Sequence, residues 1–90
     1  MPTANWAIED FVKAIQLDPG YVPAYNNRGS IYGKMRQYER AMQDYDKAIQ
    51  LDPNEALAYY NRSIAYRNIR LYPQADASKA KACSLDSQYC

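Results

Sequence analysis

Histidine is absent from this chain of 90 residues, which therefore lacks the commonest general base and metal-binding side chain. Glycine occurs only three times, which leaves little material for a loop that cradles a phosphate. The apolar runs are far too short to span a membrane. Basic residues exceed acidic ones by one, so the net charge does not indicate a nucleic acid or an anionic membrane as partner. These shortages predict a small soluble domain that is not an enzyme and that binds no cofactor or metal.

Cysteine is scarce as well. Cys83 and Cys90 are too few and too close to the C-terminus for a disulfide framework, and residues 1–5 lack the basic and then apolar layout of a signal peptide. We therefore expect a cytoplasmic protein.

Tyrosine, in contrast, is in excess, with ten residues against one phenylalanine and one tryptophan.

A shift of 34 residues brings the sequence into register with itself. The segment KAIQLDP at 13–19 returns at 47–53, and small or acidic residues recur at three matched places. These places hold Ala7, Ala41 and Ala75; Ala14, Ala48 and Ala82; and Asp18, Asp52 and Asp86. So many matches in one register indicate a repeat protein, in which stacked units share a continuous core, and the recurring aspartates are expected to be turn residues.

Each unit is predicted to form two helices, because its apolar and small residues fall at spacings of three and four. The expected helices span 4–17, 21–35, 38–51, 55–69 and 73–85. The connecting turns are short, so neighbouring helices should run antiparallel in an all-α fold without strands. Small residues should let the helices approach closely while tyrosines pack in or beside the core. The tyrosines expected there are Tyr25, Tyr32, Tyr38, Tyr45, Tyr59, Tyr66 and Tyr72.

The pattern within residues 22–55 resembles the tetratricopeptide repeat. The residues that carry the resemblance are Tyr25, Gly29, Tyr32, Ala41, Tyr45, Ala48 and Pro53. The resemblance implies a right-handed superhelical stack of antiparallel helical hairpins, an α-solenoid, that binds peptide segments in its concave groove. Residues 1–90 should form one domain, with a half repeat at 2–21, a full repeat at 22–55 and a degenerate repeat at 56–89 that ends in a capping helix.

Charge is unevenly distributed along the chain. Residues 21–36 and 55–71, the expected first helices of the hairpins, sum to +5, whereas the remaining segments sum to −4. Because the resemblance implies that first helices line the groove, we expect a basic groove that binds an extended acidic peptide. The candidate groove residues are Asn27, Lys34, Tyr60, Asn61, Ile64 and Arg67. The alternative for arginines at helix ends, such as Arg36 and Arg70, is that they complement the helix dipole.

Asparagine recurs at 27 and 61, inside two predicted helices, although it is a poor helix former. In the family that the chain resembles, an asparagine at this register can hydrogen-bond a bound peptide; the alternative is a bridge between adjacent hairpins. The carboxylate clamp of chaperone-binding relatives also needs lysines and an arginine at set places. Those places hold Asn26, Ser30, Leu57 and Asn61 here, so we expect no binding to heat-shock chaperone tails.

The first predicted helix carries large apolar residues but lacks the hairpin partner that would precede it. Its candidate self-association residues are Trp6, Ile8, Phe11 and Ile15. An uncovered apolar side would favour association, so the alternative function is self-assembly, as a homodimer or by exchange of hairpins. The other explanation is that the chain is a piece of a longer protein that supplies the missing helix.

The repeat register also predicts the environment of the two cysteines. Cys83 falls in the slot that Ile15 and Ile49 occupy in the preceding units, so it should pack in the core as a small hydrophobic residue. Cys90 is the last residue and should carry an ordinary exposed thiol.

Overall fold

Five α-helices follow one another in the computed structural model, which describes residues 3–90 of the chain, with side chains from residue 7 onward. They are α1 (Thr3–Leu17), α2 (Val22–Lys34), α3 (Tyr38–Leu51), α4 (Ala56–Asn68) and α5 (Tyr72–Leu85), and a short 3-10 turn spans Ser87–Tyr89. No strand occurs among the described residues. The all-α fold is therefore confirmed, and each helix begins and ends within one residue of its predicted bounds.

A turn built on aspartate follows α1, α3 and α5. Three carboxylates each accept a hydrogen bond from the backbone N–H two residues further on: Asp18 from Gly20 at 3.1 Å, Asp52 from Asn54 at 3.0 Å and Asp86 from Gln88 at 3.1 Å. A short carboxylate that satisfies a backbone donor in this way fixes the turn. The predicted turn role of these aspartates is confirmed, and it explains why they recur in every unit.

The turns inside the hairpins place an arginine just after the first helix. Arg36 after α2 and Arg70 after α4 have φ angles of 62° and 66°, in the left-handed region. The following residue then donates back into the helix, as the N–H of Gln37 does to the carbonyl of Tyr32 at 2.8 Å. Glycine is the usual residue at such a position, so both hairpins close on an arginine in a sparsely populated conformation.

The helices pack as hairpins, α2 against α3 and α4 against α5. The contact of α3 with α4 joins the two hairpins, and α1 packs on α2. The first helices α2 and α4 also contact each other directly. Their exposed sides therefore belong to one face of the molecule, with α3 beneath them.

Alanines form the closest helix contacts, and tyrosine rings surround them. The alanines exposed by 1% or less are Ala24, Ala41, Ala48, Ala58, Ala75 and Ala82. Two core clusters result, Tyr25 with Ala48 and Ala58, and Tyr45 with Ala41 and Ala65. The small side chain of alanine lets two helix backbones approach closely. The tyrosine rings then fill the space at either side of each contact.

The prediction of core tyrosines holds for six of the seven residues. Tyr25, Tyr45 and Tyr59 are buried, and Tyr32, Tyr38 and Tyr66 are half-buried. It is wrong for Tyr72, which is 49% exposed. Tyr72 begins α5 as Tyr38 begins α3, but Tyr38 packs on a cluster that includes Ala65 of the following hairpin. Among residues 3–90 no hairpin packs on that side of α5.

The two cysteines form a disulfide, Cys83–Cys90, with Cα atoms 4.6 Å apart. The expectations of a core thiol and an exposed free thiol are therefore wrong. The pair matches Ile15 and Val22 of the first unit, which both pack on the cluster around Tyr25. A covalent bond thus joins two residues whose counterparts in the first unit pack on one apolar cluster.

No helix within residues 3–90 combines the length and the apolar character that crossing a membrane requires.

Candidate functional site

A groove of about 260 Å³ lies between α2 and α4, with α3 beneath it. Its lining consists of Ser30, Gly33 and Lys34 from α2, Tyr38 and Tyr45 from α3, and Asn61, Ile64, Ala65 and Asn68 from α4. The α4 residues are three or four positions apart, so they follow one side of that helix. Two of these places correspond in the 34-residue register, Ser30 with Ile64 and Lys34 with Asn68, so the groove lies between corresponding parts of two first helices.

Small residues open the groove down to the ring of Tyr45. Gly33 has no side chain, and the Tyr45 hydroxyl lies 4.0 Å from the place that a Cβ of Gly33 would occupy. Tyr45 is only 4% exposed, and its burial, together with the charge of Asp44, raises the pKa of Tyr45 to about 12. The hydroxyl is therefore neutral at ordinary pH, and it can donate or accept a hydrogen bond at the floor of the groove.

The structure brings three of the six predicted groove residues together. Lys34, Asn61 and Ile64 line the same groove. Lys34 is exposed and Asn61 is half-buried, whereas Ile64 is 45% exposed. A cation, an amide and an apolar side chain thus face one space.

The other three predicted residues lie outside the lining of this groove. Asn27 is exposed on α2. Tyr60 is half-buried, and its ring stacks on that of Tyr89 with centroids 4.8 Å apart. Arg67 donates to Asp76 on α5 at 3.1 Å, in a pair that is exposed to solvent.

Two further arginines of the first helices are also bound to acceptors. Arg28 donates to both carboxylate oxygens of Asp44 on α3, at 2.7 and 2.9 Å. Asp44 is buried, and its hydrogen bonds to Arg28 raise the pKa of the arginine above its ordinary value. Arg62 donates to Asp46 on α3 at 3.0 Å and to the hydroxyl of Ser78 on α5 at 3.2 Å.

The charge at the groove comes from Lys34. No aspartate or glutamate is among the described residues that line it. The sum of +5 over the first helices is not the charge of the groove, because Arg28, Arg62 and Arg67 are paired with carboxylates of α3 and α5. Counting charge along the sequence could not separate paired from unpaired residues.

Sequence reasoning missed six lining residues, Ser30, Gly33, Tyr38, Tyr45, Ala65 and Asn68. Helical spacing carries the signal for two of them, because Ala65 and Asn68 lie four and seven residues after Asn61. No comparable pattern pointed to Tyr45, because its hydroxyl lies beside Gly33 of another helix.

Helix α2 carries two adjacent asparagines. Asn26 is buried, whereas Asn27, the predicted groove residue, is exposed. Asn26 is 3% exposed, and its Oδ1 has no hydrogen-bond partner among the described residues. Of the places that match the carboxylate clamp, Ser30 and Asn61 lie on the groove, whereas Asn26 is too buried to meet a ligand there.

Some of the predicted self-association residues of α1 pack against other parts of the same chain. The side chain of Trp6 lies outside the described residues. Ile8 and Phe11 are half-buried, and Ile15 packs on the cluster around Tyr25. Leu17, at the end of the helix, is 88% exposed.

Two family models of the tetratricopeptide repeat match the chain, one at residues 22–55 and one at 44–77. Together they span well over half of it. The chain belongs to the tetratricopeptide repeat family. The first model covers α2 and α3, one wall and the floor of the groove, and the second reaches α4, the other wall.

Solved structures of tetratricopeptide repeat domains share this fold. The domain of Arabidopsis OM64 is 28% identical with a TM-score of 0.92, over 96% of this chain and 71% of that one. The TPR2B domain of yeast Sti1, solved in a complex with pHsp70, is 26% identical with a TM-score of 0.85, over 90% of this chain and 65% of that one. The first domain of Spaghetti (RPAP3), bound to the HSP90 peptide SRMEEVD, is alike in fold at 22% identity and a TM-score of 0.91, over 94% and 68%. No curated protein matches the chain.

Proposed function

We propose that this chain is a non-catalytic protein-interaction scaffold, which holds an extended peptide segment with an acidic residue in the groove between α2 and α4. The observation that carries the proposal is the lining of that groove, which combines the cation Lys34 with amides, hydroxyls and an apolar side chain and includes no described carboxylate. Membership of the tetratricopeptide repeat family supports an interaction module.

Each lining group matches a part of an extended acidic peptide. The exposed ammonium of Lys34 attracts a carboxylate. The amides of Asn61 and Asn68 offer donors and acceptors, as a peptide backbone requires. Ile64 provides apolar contact at the wall, and the hydroxyl of Tyr45 can pair with a polar atom that reaches the floor.

The TPR2B domain of yeast Sti1 in its complex with pHsp70 supports an interaction role, but we do not extend that partner to this chain. A carboxylate clamp requires basic side chains at places that are uncharged here. One of these, Asn26, is also buried. We therefore propose an acidic internal segment rather than a heat-shock chaperone tail as the ligand.

A pair of labelled peptides of equal length and capped termini tests this preference. One alternates glutamate with valine, and the other alternates lysine with valine. Fluorescence anisotropy should show the glutamate peptide binding about tenfold more tightly, which corresponds to about 1.4 kcal/mol. Added salt should weaken its binding by screening the exposed charge. Equal affinities, or no binding by either peptide, would contradict the proposal.

Charge-reversal variants locate the contact. Lys34→Glu should abolish the preference for the glutamate peptide. Lys79→Glu makes the same charge change on α5, outside the groove lining, and should leave the preference intact. Arg67→Glu should have a smaller effect than Lys34→Glu, because Arg67 is paired with Asp76. Equal effects of the groove variant and the α5 variant would remove Lys34 from the site.

As a second candidate we propose self-association through α1, with Ile8 and Phe11 at its centre and Trp6 and Ile15 beside them. The observation that favours it is that Ile8 and Phe11 keep part of their apolar surface exposed although α1 packs on α2. Light scattering across a dilution series should show a concentration-dependent dimer that Phe11→Lys disrupts. Lys13→Glu, an exposed charge change on the same helix, is the control. A monomer at every concentration would end this proposal.

We further propose that residues 1–90 form one domain, divided at 2–21, 22–55 and 56–89, with α5 as a capping helix. Polar residues on the exposed side of α5 support this division. Urea unfolding followed by circular dichroism and by tyrosine fluorescence should give coincident single transitions. Two separated transitions would show that the units unfold independently.

A further inference from the structure

The chain after α5 folds back on itself. Asp86 closes the 3-10 turn, because its two carboxylate oxygens accept hydrogen bonds from the backbone and side-chain amides of Gln88, at 3.1 and 2.8 Å. These hydrogen bonds lower the pKa of Asp86. The turn returns Cys90 to Cys83 near the end of α5, where the disulfide joins them.

This turn lays the ring of Tyr89 on the ring of Tyr60, with centroids 4.8 Å apart and planes inclined by 29°. Such an offset stack is favourable for two aromatic rings. Tyr60 lies one helical turn before Ile64, on the same side of α4. The tail therefore covers an aromatic side chain at the margin of the groove.

Little of the tail is buried in this place. The 3-10 turn contains no buried residue, and Tyr89 itself is half-buried. A short surface segment with so little burial opens at low free energy unless it is tethered. The disulfide is that tether, since it fixes the residue next to Tyr89 to α5.

The tether is open to reagents from solvent. Cys90 is exposed. A shallow cavity of about 240 Å³ beside it is lined by Asp76, Lys79, Ala80, Cys83, Tyr89 and Cys90. A small dithiol can therefore approach the sulfur of Cys90 without prior unfolding of the helices.

We propose that the Cys83–Cys90 disulfide is a reducible latch that keeps Tyr89 over Tyr60, and that reduction by a dithiol frees the Tyr60 ring as an additional contact at the margin of the groove. The latch rests on contacts within this chain alone, and only its effect on a ligand rests on the proposed function. The latch would be open in the reducing cytosol that the composition predicts, and closed in an oxidising compartment.

The exchange balances with the dithiol as reductant. One thiolate of the dithiol attacks the sulfur of Cys90 and forms a mixed disulfide, and Cys83 leaves as a thiolate that takes up a proton. The second thiol of the reagent then attacks its own half of the mixed disulfide and releases Cys90. The two cysteines gain two electrons and two protons, and the dithiol becomes a cyclic disulfide.

Nitration of tyrosines, followed by mass spectrometry, tests the latch without any peptide. Reduction with dithiothreitol, followed by alkylation of both thiols and removal of the reagents before nitration, should raise the nitration rate of Tyr60 at least severalfold in the full chain. The exposed Tyr72 and the buried Tyr25 serve as internal references whose rates should not change. An unchanged rate for Tyr60, or loss of the helical circular dichroism on reduction, would overturn the latch.

Two variants separate the latch from unrelated effects of the reagent. A chain with Cys83→Ser and Cys90→Ser should nitrate at Tyr60 as fast as the reduced protein, with or without dithiothreitol. Tyr89→Ala should expose Tyr60 while the disulfide stays closed. A response of the double-serine variant to dithiothreitol would contradict the proposal.

The glutamate–valine peptide then tests the consequence for binding. Its affinity should rise on reduction and in Tyr89→Ala, and Tyr60→Ala should remove the rise. No rise alongside faster nitration of Tyr60 would overturn the link to the groove. Absence of all peptide binding alongside faster nitration would instead contradict the proposed function and leave the latch standing.

Discussion

The hairpins α2–α3 and α4–α5, called here the first and the second repeat, each place an arginine between two matching rings but bind it differently. Arg28 lies 5.9 and 6.0 Å from the rings of Tyr25 and Tyr32. In the second repeat, Arg62 lies 5.3 and 5.8 Å from the matching rings of Tyr59 and Tyr66. The first arginine is held by a carboxylate within its own hairpin, whereas the second is shared between its own hairpin and the preceding one.

Two sequence differences explain this: the second repeat lacks the carboxylate of Asp44, and the unit before the first repeat has Val12 at the place of Asp46. Asp44 in the first repeat matches Ser78 in the second, and a serine hydroxyl cannot neutralise a guanidinium. Arg62 therefore pairs with Asp46 of α3, which adds an exposed ion pair to the contact between hairpins. The first repeat therefore has this charge interaction within a hairpin, whereas the second has it at the junction of two hairpins.

A second pair of positions also differs between the two repeats. A Cβ on Gly29 would lie 2.6 Å from Tyr45 Cε1 and 3.1 Å from the carbonyl oxygen of Ala41. The second repeat has Ser63 and Lys79 at the places of Gly29 and Tyr45. Because the ring is absent there, the helix can carry a serine side chain. The glycine is thus required by the tyrosine ring and the Ala41 carbonyl that pack on it from α3, rather than by its own helix.

The largest expected effect is at this contact. Gly29→Leu should lower the free energy of unfolding by about 3 kcal/mol, because the buried ring and a backbone carbonyl cannot move aside. Thermal unfolding followed by circular dichroism should show a midpoint lower by more than about 10 °C. Gly33→Ala is the control and should stabilise the chain by up to about 1 kcal/mol, since its Cβ has room. Equal effects at the two glycines would contradict this interpretation.

The next effect distinguishes the two arginine sites. Asp44→Ala should lower the free energy of unfolding by about 2 kcal/mol, because it leaves the guanidinium of Arg28 partly buried without its carboxylate. Ser78→Ala should cost less than about 1 kcal/mol, because Arg62 keeps Asp46. Urea unfolding at neutral pH measures both. A larger loss for the serine variant would show that the second arginine depends on its own hairpin after all.

A smaller effect is expected when the second repeat is changed to resemble the first. Lys79→Tyr alone should destabilise the chain, because the new ring meets the side chain of Ser63. Adding Ser63→Gly should recover about 1 kcal/mol of the loss. A double-mutant cycle in urea measures this coupling. Additive effects of the two changes would show that the glycine and the tyrosine are independent.

The smallest predicted effect concerns the ionisation of Tyr45, and it can be measured only at alkaline pH. The pKa of Tyr45 is raised from 10.0 to about 12, so the folded chain keeps this proton where the unfolded chain loses it. The resulting stability is fully present below pH 10 and is lost as the pH rises toward 12. Urea midpoints measured across this range should fall more steeply for the wild type than for Tyr45→Phe. Parallel curves would contradict the raised pKa.

Much of the fold follows from the period of 34 residues, because the spacing of small residues and the Asp turns both repeat with it. The groove follows only in part. Lys34, Asn61 and Ile64 lie on exposed helix sides that periodicity can locate. Periodicity cannot show which arginines find a carboxylate, because those partners lie on other helices.

The cysteine pair shows how the repeat register can mislead. Matching Cys83 to Ile15 predicted a core residue, although the same register also matches Cys90 to Val22. Since Ile15 and Val22 pack on one cluster, the register already implied that the two cysteines are close. Comparing single positions missed this contact, whereas comparing pairs of positions would have revealed it.

The most direct test of the peptide-binding proposal is an NMR titration of the isotope-labelled chain with the glutamate–valine peptide. The proposal predicts that backbone amide shifts change mainly at residues 30–34 and 61–68, the two walls of the groove. The lysine–valine peptide should leave them nearly unchanged. Shifts confined to α1 or α5, or equal responses to the two peptides, would contradict it.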